Sequence, residues 1–183
     1  MNKAELFIRH LDLVTGRKED QIQKIESTHG SLPNVFVFVY KNWPEDGLIT
    51  GFTFGLSAAN HPDWKFGKPE LMISVESDDD AWPLAIGYLA EKLRGDCPFC
   101  YGNTINFHAK VSEASDLDAF LIFAPTFLKK EQWKVELDGF TCNIAGIYPI
   151  YSSELPILNE VGIEKFWKHP AWDPFDVHRK PLE

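Results

Sequence analysis

The chain has 183 residues, 44% of them hydrophobic, which is enough to bury one substantial core and favours a single domain over residues 1–183. Lys plus Arg number 18 and Asp plus Glu 27; a formal charge of −9, with no basic run longer than Lys129-Lys130 or Arg179-Lys180, excludes a nucleic-acid-binding surface and favours a basic protein partner. No apolar run approaches a membrane span, Glu5, Arg9, His10 and Asp12 interrupt the N-terminus where a signal peptide would be apolar, and three cysteines make no disulfide framework, so the expectation is a reduced, cytoplasmic protein.

Ala4, Phe7, Leu11 and Val14 recur at helical spacing and predict an amphipathic helix ending near Gly16. A weaker helical pattern covers residues 19–27, so residues 1–30 read as a helical segment packed on the domain. VFVFVY (35–40) is apolar on both faces and β-branched or aromatic throughout, the pattern of a central strand. KNWPEDG makes a turn, and LITGFTFGL returns as the second arm of a hairpin with Phe52, Phe54 and Leu56 on one face.

In ELMISVES, Leu71, Ile73 and Val75 alternate with Met72, Ser74 and Glu76, which predicts another strand. Trp82, Ala85, Ile86, Leu89, Ala90 and Leu93 mark the clearest helix. It is entered through Asp78-Asp79-Asp80, whose charge complements the helix dipole, and carries Pro83 in its first turn. TINFH and AFLIFAP read as two further strands. In WKVELDGFTCNIAGIY, a two-residue Asp138-Gly139 turn sets Leu137 opposite Phe140, Val135 opposite Cys142 and Trp133 opposite Ile144, with every apolar residue on one side. SSELPILNEV and GIEKFWK give two short helices before an irregular tail. With no repeat or linker, the fold class is α+β.

DCPFCYGN (96–103) is the segment that most resembles a reactive site. A redox pair is positioned by a strand entering it and a helix leaving it, because the helix N-terminus stabilises the thiolate. Here the helix precedes Cys97 and Cys100 and a strand follows. Zinc would need two more ligands, with His108 and Cys142 the nearest in sequence, but the hairpin pairing turns Cys142 onto an apolar face. The favoured reading is a helix-to-strand connection shaped by Pro98 and Gly102 and anchored by Phe99. No cofactor, metal ligand or catalytic residue is assigned. GLSAA (55–59) falls one glycine short of a nucleophile elbow, and Asn60-His61-Pro62 breaks the helix that an elbow requires. The six His are dispersed, and no phosphate-binding glycine loop occurs.

Residues 70–108 resemble the central segment of the Suppressor of fused domain family. The landmarks are Glu70-Leu71, Trp82-Pro83, Leu89-Ala90 and Phe99-Cys100-Tyr101-Gly102, with FGLS (54–57) upstream and Gly146-Ile147, Ser152-Ser153-Glu154-Leu155 and Gly162-Ile163 downstream. The resemblance extends from about residue 35 to the end. It implies a mixed, largely antiparallel sheet flanked by helices, and a non-enzymatic protein-binding domain. In animal members of that family a transcription-factor peptide is held as an added strand. The chain departs from that version at Lys92, where an aromatic stands in the family, and at Asn103, where an acid stands, so the animal peptide specificity is not carried over.

Stand-alone bacterial members are associated with polymorphic toxin systems, and the resemblance therefore implies an immunity protein that neutralises a toxin domain. Its acidity would speed encounter with a basic toxin. Asp78, Asp79 and Asp80 are the candidate charges and Trp43 and Trp64, in polar turns, the candidate anchors for that partner. Two alternatives stand beside it: a peptide-binding adaptor using a sheet edge, and a zinc or redox protein using Cys97 and Cys100.

Overall fold

The computed structural model describes residues 1–183. It contains an eight-stranded mixed sheet in the order β1-β2-β3-β4-β8-β6-β5, with β7 paired to the start of β8. The strands are β1 (Gln21–Ile25), β2 (Val35–Lys41), β3 (Leu48–Phe54), β4 (Lys68–Glu76), β5 (Thr104–Asn106), β6 (Ala119–Phe123), β7 (Lys134–Leu137) and β8 (Phe140–Ile150). Only β4 and β8 run parallel; every other pair is antiparallel. The helices are α1 (Lys3–Thr15), α2 (Ala81–Leu93), α3 (Leu155–Val161) and α4 (Ile163–Trp167).

The central strands are apolar on both faces because both faces are covered. Val35, Val37 and Val39 of β2 pack with Ile73, Trp82, Ile86 and Leu89 under α2. Phe38 and Tyr40, pointing the other way, pack with Phe52, Met72 and the α1 residues Phe7 and Leu11. The same face of β8 continues into a third cluster, where Tyr148 and Ile150 meet Leu158, Phe166 and Trp172 of α3, α4 and the tail. α1 starts at an Asn2–Glu5 capping box and stops at Gly16, whose φ of 72° ends the helix. α2 lies very close to the sheet: a Cβ on Gly87 would come within 2.5 Å of Val37 Cγ2 and of Ile25 Cδ1.

Two local expectations are corrected. Residues 19–27 contain strand β1, not a helix, because their backbone pairs with β2 from Gln21↔Val39 to Ile25↔Val35. Ile22 and Ile25, three apart, imitate a helical spacing, but Ile25 faces α2 while Ile22 is 49% exposed on the other side. Leu56 does not share the face of Phe52 and Phe54; it sits beyond Gly55 (φ 128°) in a 3-10 turn and is buried in the α2 layer. The β7–β8 register is the expected one, with Val135↔Cys142 and Leu137↔Phe140, and Ile144 N donates to Trp133 O at 2.7 Å.

Candidate functional site

The cysteine segment connects α2 to β5 around Phe99, which is buried in the α2 layer with φ 51°. Cys97 packs against that layer, Cys100 is exposed, and Cys142 lies in the α1 layer on the opposite face of the sheet. Burial pushes all three thiols above their ordinary value, which disfavours the thiolate that a nucleophile or metal ligand needs. No three His, Cys, Asp or Glu side chains converge as a ligand set. The two positions singled out as departures are held locally: Asn103 Oδ1 accepts from Cys100 N at 2.8 Å, and Lys92 Nζ donates to Tyr88 OH at 2.9 Å.

The landmark acids have internal partners that sequence reasoning missed. Glu70, fully buried, accepts hydrogen bonds from Thr53 Oγ1, Gly55 N, Ser57 N and Ser57 Oγ at 2.7–3.0 Å. Burial raises its carboxyl pKa, and these four donors oppose the rise. Glu154, also fully buried, forms a two-pronged ion pair with Arg179 of the tail. Arg94 donates to Gly55 O and Ser27 Oγ, while Glu91 accepts from Thr28 N and Oγ1, so the last turn of α2 holds two loops. The one signal in the sequence was a lone acid inside an otherwise apolar strand, as at Glu70.

An open acidic surface forms at the C-terminal end of β4. The β2–β3 turn, shaped by Asn42 (φ 54°) and Gly47 (φ 87°), brings exposed Glu45 and Asp46 beside exposed Glu76 and Asp78. These four carboxylates line two adjoining hollows of about 390 and 430 Å³, and none of them makes a salt bridge. Phe127 (φ 63°, 39% exposed) stacks on Phe175 at 4.8 Å in the wall of one hollow, and Phe175 O accepts from Glu76 N at 2.9 Å. Lys41, paired with Asp80, also lines the first hollow and is the one cation lining the two, so the arrangement offers net negative charge beside an aromatic pair.

Of the residues predicted from sequence, Asp78 belongs to this surface. Asp79, just ahead of α2, accepts from Ala81 N and from Ser112 Oγ, and Asp80 lies 3.3 Å from Lys41 Nζ, so both are partly committed within the chain. Trp43, in the same turn as Glu45, packs between Tyr40 and Phe52 at 6.2 and 6.1 Å. Trp64 is elsewhere. It lines a cleft beside the N-terminal end of β4, and nine strand residues at ~3.3 Å each place it on the order of 25 Å from Asp78. Glu45, Asp46, Glu76, Phe127 and Phe175 were not singled out, because they come together only through the turn, the strand end and the tail.

No helix is long and apolar enough to cross a membrane. The model of the Suppressor of fused protein (SUFU) family matches residues 32–180. Among solved structures, the chain is similar to a SUFU homolog from Neisseria gonorrhoeae at 20% identity and TM-score 0.73, over 98% of this chain and 96% of that one. It is similar to Drosophila Suppressor of Fused at 14% identity and TM-score 0.68, over 97% of this chain and 50% of that one. A chain of the Sufu-Fu complex matches at 13% identity and TM-score 0.64, over 98% of this chain and 91% of that one. At these identities the likeness is one of fold, a mixed sheet with flanking helices. No curated protein matches the chain.

Proposed function

We propose that this chain, which belongs to the Suppressor of fused family, is a non-enzymatic protein-binding domain that acts as a cytoplasmic immunity protein against a basic toxin domain. The observation that carries this reading is the acidic end, where Glu45, Asp46, Glu76 and Asp78 make no salt bridge, outnumber the one lysine nearby, Lys41, and sit beside the Phe127–Phe175 stack. Net negative charge steers a partner of opposite sign, and adjacent aromatic surface gives it something to bury. A relative of the same fold is known from a protein complex, the Sufu-Fu complex, which supports the protein-binding part. The buried hydrogen bonds of Glu70 and Glu154 serve the scaffold and leave those acids no substrate to act on.

The test is purification of the chain from its native cell, with mass spectrometry of what stays attached. The expected partner is a basic protein that dissociates as salt rises. A variant carrying Glu45→Gln, Asp46→Asn, Glu76→Gln and Asp78→Asn should lower the association rate about tenfold at low salt and by little at ~1 M. An acidic partner, or an unchanged rate in the variant, overturns the reading.

A second reading, a sheet-edge adaptor, is favoured by β5. Asn103 O accepts from Ile122 N and Phe107 N donates to Asp118 O, so alternation turns the backbone groups of Thr104 and Asn106 to the open edge. An extended peptide added there would protect those two amides from exchange first.

A further inference from the structure

On the α1 face of the sheet, Lys3 at the start of α1 and Lys68 at the start of β4 converge on one ring: their Nζ atoms lie 5.1 and 4.9 Å from the centre of Phe140. The two ammoniums are therefore no more than ~10 Å apart, about a Debye length, and neither makes a salt bridge. Lys68 Nζ donates to Ala59 O at 3.0 Å and to Asn60 Oδ1 at 2.8 Å, which fixes its charge in place without neutralising it and leaves a further N–H unused. Burial and the charge of Lys3 lower the Lys68 pKa from its ordinary value. Both lysines line a hollow of about 600 Å³ together with half-buried Phe36, Phe54 and Phe140. Lys3 and Ala4 also bring to it the amides of the first turn of α1, ahead of the bond from Leu6 N to Asn2 O. The one carboxylate in the lining, Asp138, is exposed in the β7–β8 turn and pairs with neither lysine.

We propose that this hollow binds a small phosphate monoester with an aromatic body. Two ammoniums without carboxylate partners, with the positive end of α1 beside them, outweigh Asp138, so the lining favours an anion although the chain as a whole carries −9. A phosphate monoester brings about −1.5 to −2 charge at neutral pH and three strong acceptor oxygens, enough to accept from both lysines and from a first-turn amide. A carboxylate brings one charge and two oxygens. The Phe36, Phe54 and Phe140 rings hold the other end of the ligand, because an aromatic body placed there takes apolar surface out of water and meets ring faces and edges. Inorganic phosphate would use the charges alone and a neutral aryl alcohol the rings alone. The site does not depend on the partner proposed for the acidic end, since Lys68 and Glu76 stand at the two ends of β4.

The full chain, labelled with nitrogen-15, would be titrated at constant ionic strength with phenyl phosphate, inorganic phosphate, benzoate and benzyl alcohol. The expected result is saturable movement of the Lys3, Ala4 and Phe140 amide signals by phenyl phosphate, with each of the other three about tenfold weaker or more. Lys3→Gln, at an exposed position, should weaken phenyl phosphate severalfold, and Phe140→Leu, which keeps an apolar side chain, should weaken it more than it weakens inorganic phosphate. Asp138→Asn should tighten phenyl phosphate by about twofold, because it removes the one opposing charge in the lining. The acidic-end variant should leave it unchanged. Inorganic phosphate, benzoate or benzyl alcohol binding as tightly as phenyl phosphate overturns the assignment, as does the absence of a saturable response. So does an Asp138→Asn variant that binds more weakly, or a folded Lys3→Gln variant that binds as well as the unaltered protein.

Discussion

Ser57 Oγ donates to Glu70 Oε1 at 2.7 Å, joining the 3-10 turn after β3 to the middle of the sheet. Thr53 completes the arrangement from the next strand, donating to Glu70 Oε2 at 2.7 Å while its oxygen accepts from Leu71 N at 2.8 Å. Two landmarks of the family pattern, FGLS and Glu70-Leu71, are thus one hydrogen-bonded unit.

Thr53→Val deletes both roles of that hydroxyl and should cost about 1–3 kcal/mol for each buried group left unpaired. Ser57→Ala should cost less, on the order of 1 kcal/mol, since the amides of Gly55 and Ser57 still reach the carboxylate. Urea unfolding checks the order: the midpoint should fall further for Thr53→Val, with the slope unchanged.

The Glu154–Arg179 pair predicts a different pattern. Arg179→Met leaves a buried carboxylate without its cation and should destabilise by about 3–5 kcal/mol. Adding Glu154→Gln removes that stranded charge while keeping an acceptor for Leu182 N, so the double variant should be more stable than Arg179→Met alone. Chemical denaturation of the three proteins gives the comparison, and limited proteolysis of the tail should follow the same order.

Gly87→Ala would normally strengthen a helix, by up to about 1 kcal/mol. Here the added Cβ would meet Ile25 Cδ1 and Val37 Cγ2 at 2.5 Å, so α2 would have to lift from β1 and β2. The expected net effect is destabilisation by about 1–3 kcal/mol, read as a lower melting temperature.

His10 on α1 has a ring nitrogen 2.9 Å from Gln132 O, and burial lowers its pKa from the ordinary 6.5. Above that value the ring is neutral in folded and unfolded chains alike. Below it the unfolded chain takes up the proton first, so this contribution to stability is lost as pH falls through and below 6.5. Between about pH 7.5 and about pH 5.5, His10→Gln should show a smaller loss of stability than the unaltered protein in paired denaturation curves.

Local patterning was sufficient wherever one element carries its own instructions. The apolar repeat of α2, the two-faced run of β2 and the Asp138-Gly139 hairpin each specify conformation within a dozen residues, so their positions could be read directly. The same local reading failed at β1, whose QIQKI has no strand pattern of its own and becomes a strand because β2 offers it an edge. Charge was legible as a sum, a formal −9, but not as a place. Asp78–Asp80 lie together in sequence, yet two of them are spent on α2 and Lys41, whereas the free carboxylates at the acidic end come from the β2–β3 turn and the end of β4. Trp64 and Trp133, which line one cleft, likewise lie 69 positions apart and meet only through the fold. Conformation over a few residues follows from side-chain shape and spacing, whereas the free valence of a surface depends on which groups the rest of the chain has already satisfied.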